Sequence, residues 1–356
     1  MTGIQWTDET WNPVRGCRRV SEGCRNCYAE KMAARLVRMG TYSPALLDSK
    51  GRWSGVFEER LELLTKPLRW RKPRRVFVNS MSDLFGEDVS DAYIAAVFGV
   101  MAASPRHTFQ VLTKRPERAA AWFRRLVADG EAPAGRYDPV TTVQVAACAY
   151  GDLRVDEANT PGWPLPNVWL GTSVEDQPTA DERIPHLLQC PAAVRFVSYE
   201  PALGPVDFSP YLRAVCSVCG DTPSLHSSWR TLGWRHWEHK CPDIHAQAGH
   251  MPTLPYLDWI IVGGESGPGA RPFDIAWARS IVEQCREAGA ACFVKQIGAR
   301  PVVDLNGADQ LGGDDGVHAA TQGPWLIPAF NPPLKNKKGG TPEEWPEDLR
   351  VREFPR

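Results

Sequence analysis

Three cysteines lie within eleven residues near the start of the chain. They are Cys17, Cys24 and Cys27, spaced C-x6-C-x2-C in the stretch WNPVRGCRRVSEGCRNCYAE. Three thiolates can hold a [4Fe-4S] cluster and leave one of its irons open to a further ligand. A zinc site usually takes a fourth protein ligand, and inert buried thiols are the third interpretation. The spacing alone leaves all three open.

A second group of metal-ligating residue types lies between 216 and 245. It contains Cys216, Cys219, His226, His236, His239, Cys241 and His245. A Cys-x2-Cys turn followed some twenty residues later by Cys or His is a frequent structural zinc pattern, because four N or S ligands complete a tetrahedron. We predict zinc on Cys216, Cys219, Cys241 and His239, with His236 as the other choice for the histidine. A solvated histidine-rich loop and a second iron–sulfur cluster are the alternatives.

The elements that position these residues alternate between short apolar strands and helices. Seven strands are predicted, near 11–15, 74–83, 107–115, 167–175, 192–201, 257–265 and 291–298. Helical periodicity follows most of them, as in Ile94, Val97, Phe98 and Met101. This alternation predicts parallel βαβ units and an α/β fold, a complete or partial TIM-type barrel. A doubly wound sheet is the rival, but no glycine-rich phosphate turn follows the first strand.

The predicted strands end in polar residues. These are Asn79, Ser80 and Asp83; Lys114 and Arg115; Thr172, Ser173 and Glu175; Ser198, Tyr199 and Glu200; Glu265 and Ser266; and Lys295 and Gln296. Chemistry in such barrels sits at the carboxyl ends of the strands. The cysteine loop follows the first strand, so we expect it to open onto the same face and form one site with these side chains.

Composition bounds the class of protein. The chain has 356 residues, 43% hydrophobic, with a formal net charge of -1. That charge argues against a general polyanion binder. A basic start with an apolar stretch and a membrane-length apolar run are both absent from the sequence, so we expect a cytoplasmic protein without a membrane partner. In that reducing compartment, ten cysteines are expected to be ligands or free thiols.

The predicted organisation is one interrupted domain with an insert and a tail. The barrel takes 1–208 and 252–300, the zinc module 209–251, and a C-terminal extension 301–356. The Gly- and Pro-rich stretches 128–140, 160–166 and 299–345 are interpreted as loops, the last wrapping the barrel or covering its mouth.

Several stretches together carry a family resemblance that covers nearly the whole chain. They are IQWTDETWNPVRGC, GCRNCYAE, NSMSDLF, LTKRPER, NVWLGTSVE, RFVSYEPALGPV, DWIIVGGESGPGARPFD, FVKQIG and KGGTPEEWPEDLRVREFP. The chain resembles the three-cysteine-motif, phage-type proteins of unknown function. That family is similar to the radical S-adenosylmethionine (SAM) enzymes, whose partial barrels carry a three-cysteine loop after the first strand.

The resemblance implies Cys17, Cys24 and Cys27 as ligands of a [4Fe-4S] cluster with SAM on its open iron. One electron from the cluster, which an electron donor would reduce again, would cleave the C–S bond of SAM and give a 5′-deoxyadenosyl radical, which abstracts a hydrogen from an unknown substrate. Two departures matter. The loop of radical-SAM enzymes is usually C-x3-C-x2-C with an aromatic residue before the last cysteine, whereas the spacing here is C-x6-C-x2-C. In those enzymes a Gly-Gly-Glu that holds the SAM amino group follows the second strand, whereas here Gly263, Gly264 and Glu265 follow a late strand. The role of that Glu is therefore not transferred to Glu265.

Within this hypothesis the polar strand ends receive roles by position. Ser80 and Asp83 would meet the methionine or ribose end of SAM. Ser173, Glu175 and Glu200 would hold ribose or substrate, and Arg115 and Lys295 an anionic group. We single out Glu175, Glu200 and Lys295 as candidate catalytic residues, and Ser80, Asp83, Ser173 and Arg115 as candidate cofactor-binding residues.

The basic stretch KPLRWRKPRR, 66–75, surrounds Trp70 with six Lys or Arg residues. Cationic side chains beside an aromatic ring can hold a nucleic-acid backbone and stack a base, although such runs are more often solvated. Nucleic acid or a nucleotide is therefore one predicted partner. The alternative function is a non-catalytic, metal-stabilised nucleic-acid-binding protein.

Overall fold

The computed structural model describes residues 4–130, 139–150, 161–212, 253–303 and 334–355, and short strand segments at 215–216, 229–231 and 237–239. Its strands are β1 (Glu9–Trp11), β2 (Val14–Arg15), β3 (Glu58–Glu59), β4 (Arg75–Val78), β5 (Thr108–Thr113), β6 (Val168–Ser173), β7 (Val194–Tyr199), β8 (Val215–Cys216), β9 (Trp229–Thr231), β10 (Trp237–His239), β11 (Thr253–Leu254), β12 (Trp259–Gly263), β13 (Phe273–Asp274), β14 (Ala291–Gln296) and β15 (Pro301–Val302). Its helices are α1 (Tyr28–Arg38), α2 (Leu61–Leu64), α3 (Asp91–Ala102), α4 (Pro116–Gly130), α5 (Pro139–Tyr150), α6 (Gln177–Leu188), α7 (Ser209–Leu212) and α8 (Ile275–Ala288).

Seven parallel strands form one curled sheet, a half-barrel, in the order β1-β4-β5-β6-β7-β12-β14. Every neighbouring pair in this sheet is parallel. Six of them lie within the predicted ranges, whereas β1 overlaps its predicted range 11–15 only at Trp11, because Val14 and Arg15 pair with β3 instead. Their spatial order follows the chain, as repeated βα units produce. The α/β class and the partial form of the barrel are thereby confirmed. The remaining described strands make two-stranded pairs outside this sheet.

The two faces of the sheet bury different clusters. Helices α3, α4, α6 and α8 cover one face through a large apolar cluster that includes Val76, Val78 and Ile281. The other face buries a smaller, aromatic cluster of Trp6, Phe77, Phe196, Trp259, Ile261 and Phe293. Because side chains alternate along a strand, Phe77 points away from its neighbours Val76 and Val78. The aromatic cluster therefore fills the concave side of the half-barrel.

The C-terminal segment covers the free edge of β14. Val294 N donates to Val351 O at 2.9 Å, and Glu353 N donates to Cys292 O at 2.8 Å. The guanidinium of Arg352 then reaches Gln5 Oε1 at 2.8 Å, close to the first strand. Pairing of this kind protects an edge strand that would otherwise expose unpaired backbone groups. These contacts lie at 351–353, and the wrapping of the barrel or covering of its mouth by the stretch 299–345 stays a prediction.

The helix signals of the sequence correspond to the observed ends. Ser90 caps α3 by accepting the backbone N–H of Tyr93, and Asp274 caps α8 by accepting that of Ala276. Gly289 ends α8 at φ 71°, a left-handed conformation that glycine adopts without steric cost.

The interpretation of 128–140 as a loop is wrong at both ends. Helix α4 continues to Gly130 and α5 begins at Pro139. Helix α5 packs so closely on α3 that a Cβ at Gly99 would lie 2.6 Å from the Cβ of Ala147. Helix α5 was not predicted because it is rich in β-branched residues such as Thr141, Thr142 and Val143, and its packing against α3 outweighs that local preference. Within the described residues, no helix is long and apolar enough to cross a membrane.

Candidate functional site

The cysteine loop, residues 17–27, joins β2 to α1 at the carboxyl edge of the sheet. Gly16 precedes it with φ 89°, bridges to Ser82 beyond the end of β4, and packs against the Val56 carbonyl with no room for a Cβ. Residues Glu22–Cys24 form one 3-10 turn, and Cys27 occupies the N-cap position of α1. A glycine of this kind lets the chain turn sharply as it leaves β2. The predicted placement of the loop is observed.

Hydrogen bonds tie this loop and the first residue of α1 to the ends of four sheet strands. The bonds run from Tyr28 Oη to Ser80 O (2.7 Å), from Arg115 Nη2 to Arg18 O (3.1 Å), from Ser21 Oγ to Glu175 Oε1 (2.9 Å), and from Asn26 Nδ2 to Glu265 Oε2 (2.9 Å). These partners follow β4, β5, β6 and β12. Four strands that are far apart in sequence therefore hold one short loop across the mouth of the half-barrel.

The three thiols share one environment. Cys24 is buried, and Cys17 and Cys27 are half-buried beside a cluster that includes Trp53 and Met81. Burial, together with the charge of Asp83 and the neighbouring cysteines, raises the pKa of Cys17 to about 12. Burial also raises the pKa of Cys27, although the first backbone N–H groups of α1 and the Trp53 indole oppose that rise. Without a metal, these two cysteines are therefore thiols at neutral pH.

The three thiols are a ligand type that both a cluster and a single ion use, so the iron–sulfur cluster stays a prediction. Among the described residues, no three His, Cys, Asp or Glu side chains are arranged to hold one metal ion. The thiolates of an iron–sulfur cube each bind a different iron, so they surround a volume and do not converge on a point. Thiols with raised pKa values release their protons when a metal takes their place. The N–H donors around Cys27 are the kind of outer contact that stabilises a cluster sulfur.

Asp83 and Arg115, two predicted cofactor-binding residues, bind each other. Arg115 Nη1 donates to Asp83 Oδ2 at 3.0 Å, and Asp83 also accepts from Thr113 Oγ1 at 2.7 Å and from the backbone N–H of Lys114 and of Phe85. Both charged residues are buried. Burial of Arg115 favours its neutral form, but the nearby charge of Asp83 helps raise the pKa of Arg115 above its usual range. In the structure their polar atoms mainly join β4 to β5, and their contact with SAM stays a prediction.

Glu175, a predicted catalytic residue, lies at the centre of a buried charge cluster. Only 1% of its side chain is exposed. Arg183 Nη1 donates to its Oε2 at 2.9 Å, the Lys114 ammonium also pairs with it, and Ser21 donates to Oε1. Gly23 packs directly on this carboxylate, so a Cβ there would lie 2.7 Å from Glu175 Cδ. Glu175 therefore fastens the cysteine loop to the end of β6.

Glu200 and Lys295 form the most open ion pair among the predicted residues. Lys295 Nζ lies 3.0 Å from Glu200 Oε1, and their side chains are 23% and 12% exposed, respectively. Ser198 Oγ donates to Glu200 Oε2 at 3.4 Å. A Cβ at Gly263 would lie 2.5 Å from Glu200 Oε1, so the glycine between them makes room for the carboxylate. The structure thus brings together two of the three residues that we singled out as catalytic.

The two predicted serines lie at the same edge. Ser80, which is buried, donates from Oγ to Asn12 Oδ1 at 3.2 Å. Ser173, also buried, ends β6 and is aligned with Ser198 of β7. Their carbonyls are used by the scaffold, since Tyr28 donates to that of Ser80 and Arg183 to that of Ser173.

Sequence reasoning missed Arg271, which helps to hold the cysteine loop at the end of β12. Arg271 forms two hydrogen bonds to Glu265 through its side chain, at 2.8 and 3.2 Å, and a third to Glu22 O at 3.1 Å. Although burial of Glu265 opposes ionisation, the hydrogen bonds from Arg271 and Asn26 hold its pKa below the usual value. The glycines in GESGPGAR were the available signal, because positive φ values at Gly267 and Gly269 turn the chain back toward Glu265.

The zinc prediction falls mostly outside the described residues. Cys219 and Cys241 lie outside them. Cys216 and His239 end β8 and β10, of which only the backbone is described. The strand pairs β8–β11 and β9–β10 are antiparallel. Zinc in this module stays a prediction.

The basic stretch 66–75 lies at the other edge of the sheet. It leads into the amino end of β4, where Arg74 pairs with Glu9 and Arg75 with Asp8. Its aromatic residue, Trp70, is half-buried, packs edge-on against His107, and carries the Arg74 guanidinium over its ring. This stretch therefore lies away from the cysteine loop, and its indole is already engaged.

Comparison with known proteins shows a family of unknown function, and it shows neither a cysteine motif nor a similarity to radical SAM enzymes. A family model described as "Protein of unknown function (DUF5131)" matches residues 1–319. Its description names neither a cofactor nor a reaction. Neither a curated protein nor a solved structure matches the chain. The chain therefore belongs to the DUF5131 family of proteins of unknown function.

Proposed function

We propose that this protein is a radical-SAM-like iron–sulfur enzyme that acts on a substrate still to be identified. The observation that carries the proposal is the three-cysteine loop held over the carboxyl edge of a parallel half-barrel by the ends of four strands. Carboxyl ends of parallel strands are where α/β folds place their chemistry. A non-catalytic metal site has no need of such an edge lined with charged side chains.

The chain's own residues would hold the cofactors and position the substrate. Cys17, Cys24 and Cys27 would ligate a [4Fe-4S] cluster, whose chemistry with SAM would be one-electron cleavage to methionine and a 5′-deoxyadenosyl radical that takes a hydrogen atom from the substrate to give 5′-deoxyadenosine. The aromatic cluster on the concave side of the sheet is buried and would limit the entry of water into the half-barrel. Exclusion of water and of competing reactions is the main contribution of a protein to radical chemistry.

Glu200 and Lys295 are the residues we place next to the substrate. Their side chains are more exposed than those of the Asp83–Arg115 pair, so they can exchange partners at a lower desolvation cost. A carboxylate and an ammonium at this edge can bind a substrate hydroxyl or anionic group and hold or move a proton at the Glu200 carboxylate. Ser80 and Ser173 offer hydroxyls for ribose or the methionine end of SAM. Glu175 is already bound by Arg183, Lys114 and Ser21, so we expect it to position the cysteine loop and not to contact the substrate.

Anaerobic purification with metal analysis tests this function. Wild type should contain about four irons and four sulfides per cluster site, and should release 5′-deoxyadenosine from SAM after reduction. Cys24→Ala should lose both. Cys148→Ala is the matched control, because Cys148 is half-buried on α5, outside the loop, and should retain both. Zinc analysis of Cys216→Ser reports on the inserted module separately.

A protein with zinc alone and no SAM cleavage would overturn the proposal. The three cysteines would then be structural, and the metal-stabilised nucleic-acid-binding protein would be the better hypothesis. Iron that stays in Cys24→Ala, or disappears equally from Cys148→Ala, would show that the cluster is not bound by this loop.

A further inference from the structure

Helix α1 presents a continuous cationic stripe to solvent, directly after the cysteine loop. We define the α1 stripe as Tyr28, Lys31, Met32, Arg35 and Arg38, all exposed and spaced three or four residues apart, as one helical face requires. The opposite face, with Ala29, Glu30 and Ala33, is buried. Arg25 of the loop is exposed at the end where the helix begins. The stripe therefore continues the mouth of the candidate site outward.

Much of the positive charge of this region has no ion-pair partner among the described residues, although Arg18 pairs with Asp88 at 3.6 Å. Residues 11–40 contain seven Lys or Arg and two Glu, although the whole chain has a net charge of -1. Of the two acids, Glu30 is buried and pairs with Arg19, and Glu22 pairs with Arg271. Within the described part of the chain, no carboxylate forms an ion pair with any of the basic residues of the stripe or with Arg25.

The helix itself does not need these charges. Lys31 and Arg35 are like charges four residues apart, which destabilises an isolated helix. Basic side chains near a helix N-terminus also oppose the helix dipole, so Arg25 and Lys31 lie at its unfavourable end. Only Arg35 and Arg38, in the last turn, are favoured by the dipole. Binding of an external polyanion would account for all four basic residues, Arg25, Lys31, Arg35 and Arg38.

The apolar members of the stripe favour bases over lipid. Tyr28 is 55% exposed while its hydroxyl donates to Ser80 O at the end of β4, so the ring is held in place beside Cys27 with one side open. A fixed, exposed aromatic ring stacks an unpaired base. A membrane-binding helix inserts a broad apolar face, but here that face is packed against Tyr42, Leu46 and Trp53.

We propose that the α1 stripe and Arg25 bind single-stranded nucleic acid and lead it to the cysteine loop. The inference rests on the proposed function for its chemistry, and it names the substrate class of that site. Lys31, Arg35 and Arg38 would contact phosphates, and Tyr28 would stack the base nearest the mouth. Enzymes that modify a base need it outside the double helix, which is consistent with a single-strand surface.

Binding is measured on the full chain purified in air, without a cluster, so the result does not depend on radical chemistry. Fluorescence anisotropy with a labelled 12-nucleotide oligodeoxythymidine, an oligouridine of the same length and a hairpin duplex compares the three forms across salt concentrations. We expect one of the single strands to bind more tightly than the duplex. The triple variant Lys31→Gln/Arg35→Gln/Arg38→Gln should reduce the slope of log K against log salt by about 2, since each phosphate contact to a single strand contributes about 0.7.

Arg69→Gln/Arg71→Gln/Lys72→Gln is the matched control for charge. It removes the same number of charges from exposed positions of the basic stretch 66–75, which the sequence alone suggested for nucleic acid. Because that stretch lies at the opposite edge of the sheet, away from the cysteine loop, the variant should leave the slope unchanged. For the stacking contact, Tyr28→Leu should weaken binding about tenfold, whereas Tyr28→Phe, which keeps the ring, should not. Circular dichroism confirms that each variant is folded.

Four results would overturn the inference: no binding by wild type, equal loss in the two triple variants, duplex bound as tightly as single strand, or equal effects of Tyr28→Leu and Tyr28→Phe. Sedimentation with vesicles containing anionic phosphatidylserine that is lost in the α1-stripe variant, without oligonucleotide binding, would assign the stripe to a membrane. Because SAM cleavage is measured separately, failure of either proposal is distinguishable from failure of the other.

Discussion

Replacing Glu175 by Gln separates a structural role from a catalytic one. The substitution keeps the shape of the side chain but removes the negative charge that pairs with Arg183 and Lys114. Arg183 Nη1 lies 2.9 Å from Glu175 Oε2, and the two side chains are only 5% and 1% exposed. Removing one partner of a buried pair costs about 3–5 kcal/mol, because the other charge stays buried and uncompensated.

The comparison is Glu200→Gln, at the ion pair with Lys295. There the side chains are 12% and 23% exposed, so water can solvate the freed ammonium and the expected cost is about 1 kcal/mol. Urea unfolding followed by tryptophan fluorescence measures both variants. With an unchanged m-value, the midpoint of Glu175→Gln should fall at least twice as far as that of Glu200→Gln.

A double-mutant cycle with Arg183→Gln gives the coupling directly. If Glu175 is held by Arg183, the double variant should be less destabilised than the sum of the single variants by about 1.5–3 kcal/mol. The reasoning is refuted if Glu175→Gln unfolds at the same urea concentration as wild type. A stable Glu175→Gln protein that has lost SAM cleavage would restore Glu175 as a catalytic residue.

Three further predictions concern the cysteine loop. Gly23→Ala places a methyl group against Glu175, so after reconstitution we expect the bound iron to fall at least twofold; a full complement would contradict the close packing. Glu265→Gln should destabilise the protein at pH 7 but not at a pH below the lowered pKa of Glu265, because a carboxylate paired with Arg271 stabilises only while ionised; urea midpoints that differ equally at both pH values would contradict this. In the metal-free protein, the rate of alkylation of Cys17 by iodoacetamide is measured by peptide mass spectrometry. This rate should rise about tenfold per pH unit from 7 to 10, because the pKa of Cys17 is about 12. A plateau in the rate near pH 8.5, typical of an ordinary thiol, would show that burial does not control this pKa.

Local signals in the sequence were sufficient for the elements of the sheet. Each strand is a short β-branched or aromatic run, and the helices between them begin at caps such as Ser90 and end at stops such as Gly289. Strand and helix periodicities act over a few residues, so they can be identified without knowledge of the fold. The order of strands then follows from right-handed βα connections, which bring every carboxyl end to one edge. This is why the cysteine loop and the polar strand ends were expected to meet.

Contacts between distant segments were beyond such signals. Helix α5 depends on its packing against α3, and the C-terminal segment depends on the open edge of β14. In the site, reasoning from strand position named both Glu175 and Glu200 as candidate catalytic residues, because each follows a strand.

The sequence by itself determined the alternation of strands and helices, the face on which the cysteines lie, and the residues that line it. Only the tertiary structure decided which of those residues hold the loop and which face the mouth. Two arginines make this distinction. Arg183 of α6 pairs with Glu175, and Arg271, in the segment between β12 and β13, pairs with Glu265. The energy of a charge depends on its burial and its partners, and both are set by chain segments that meet only after folding.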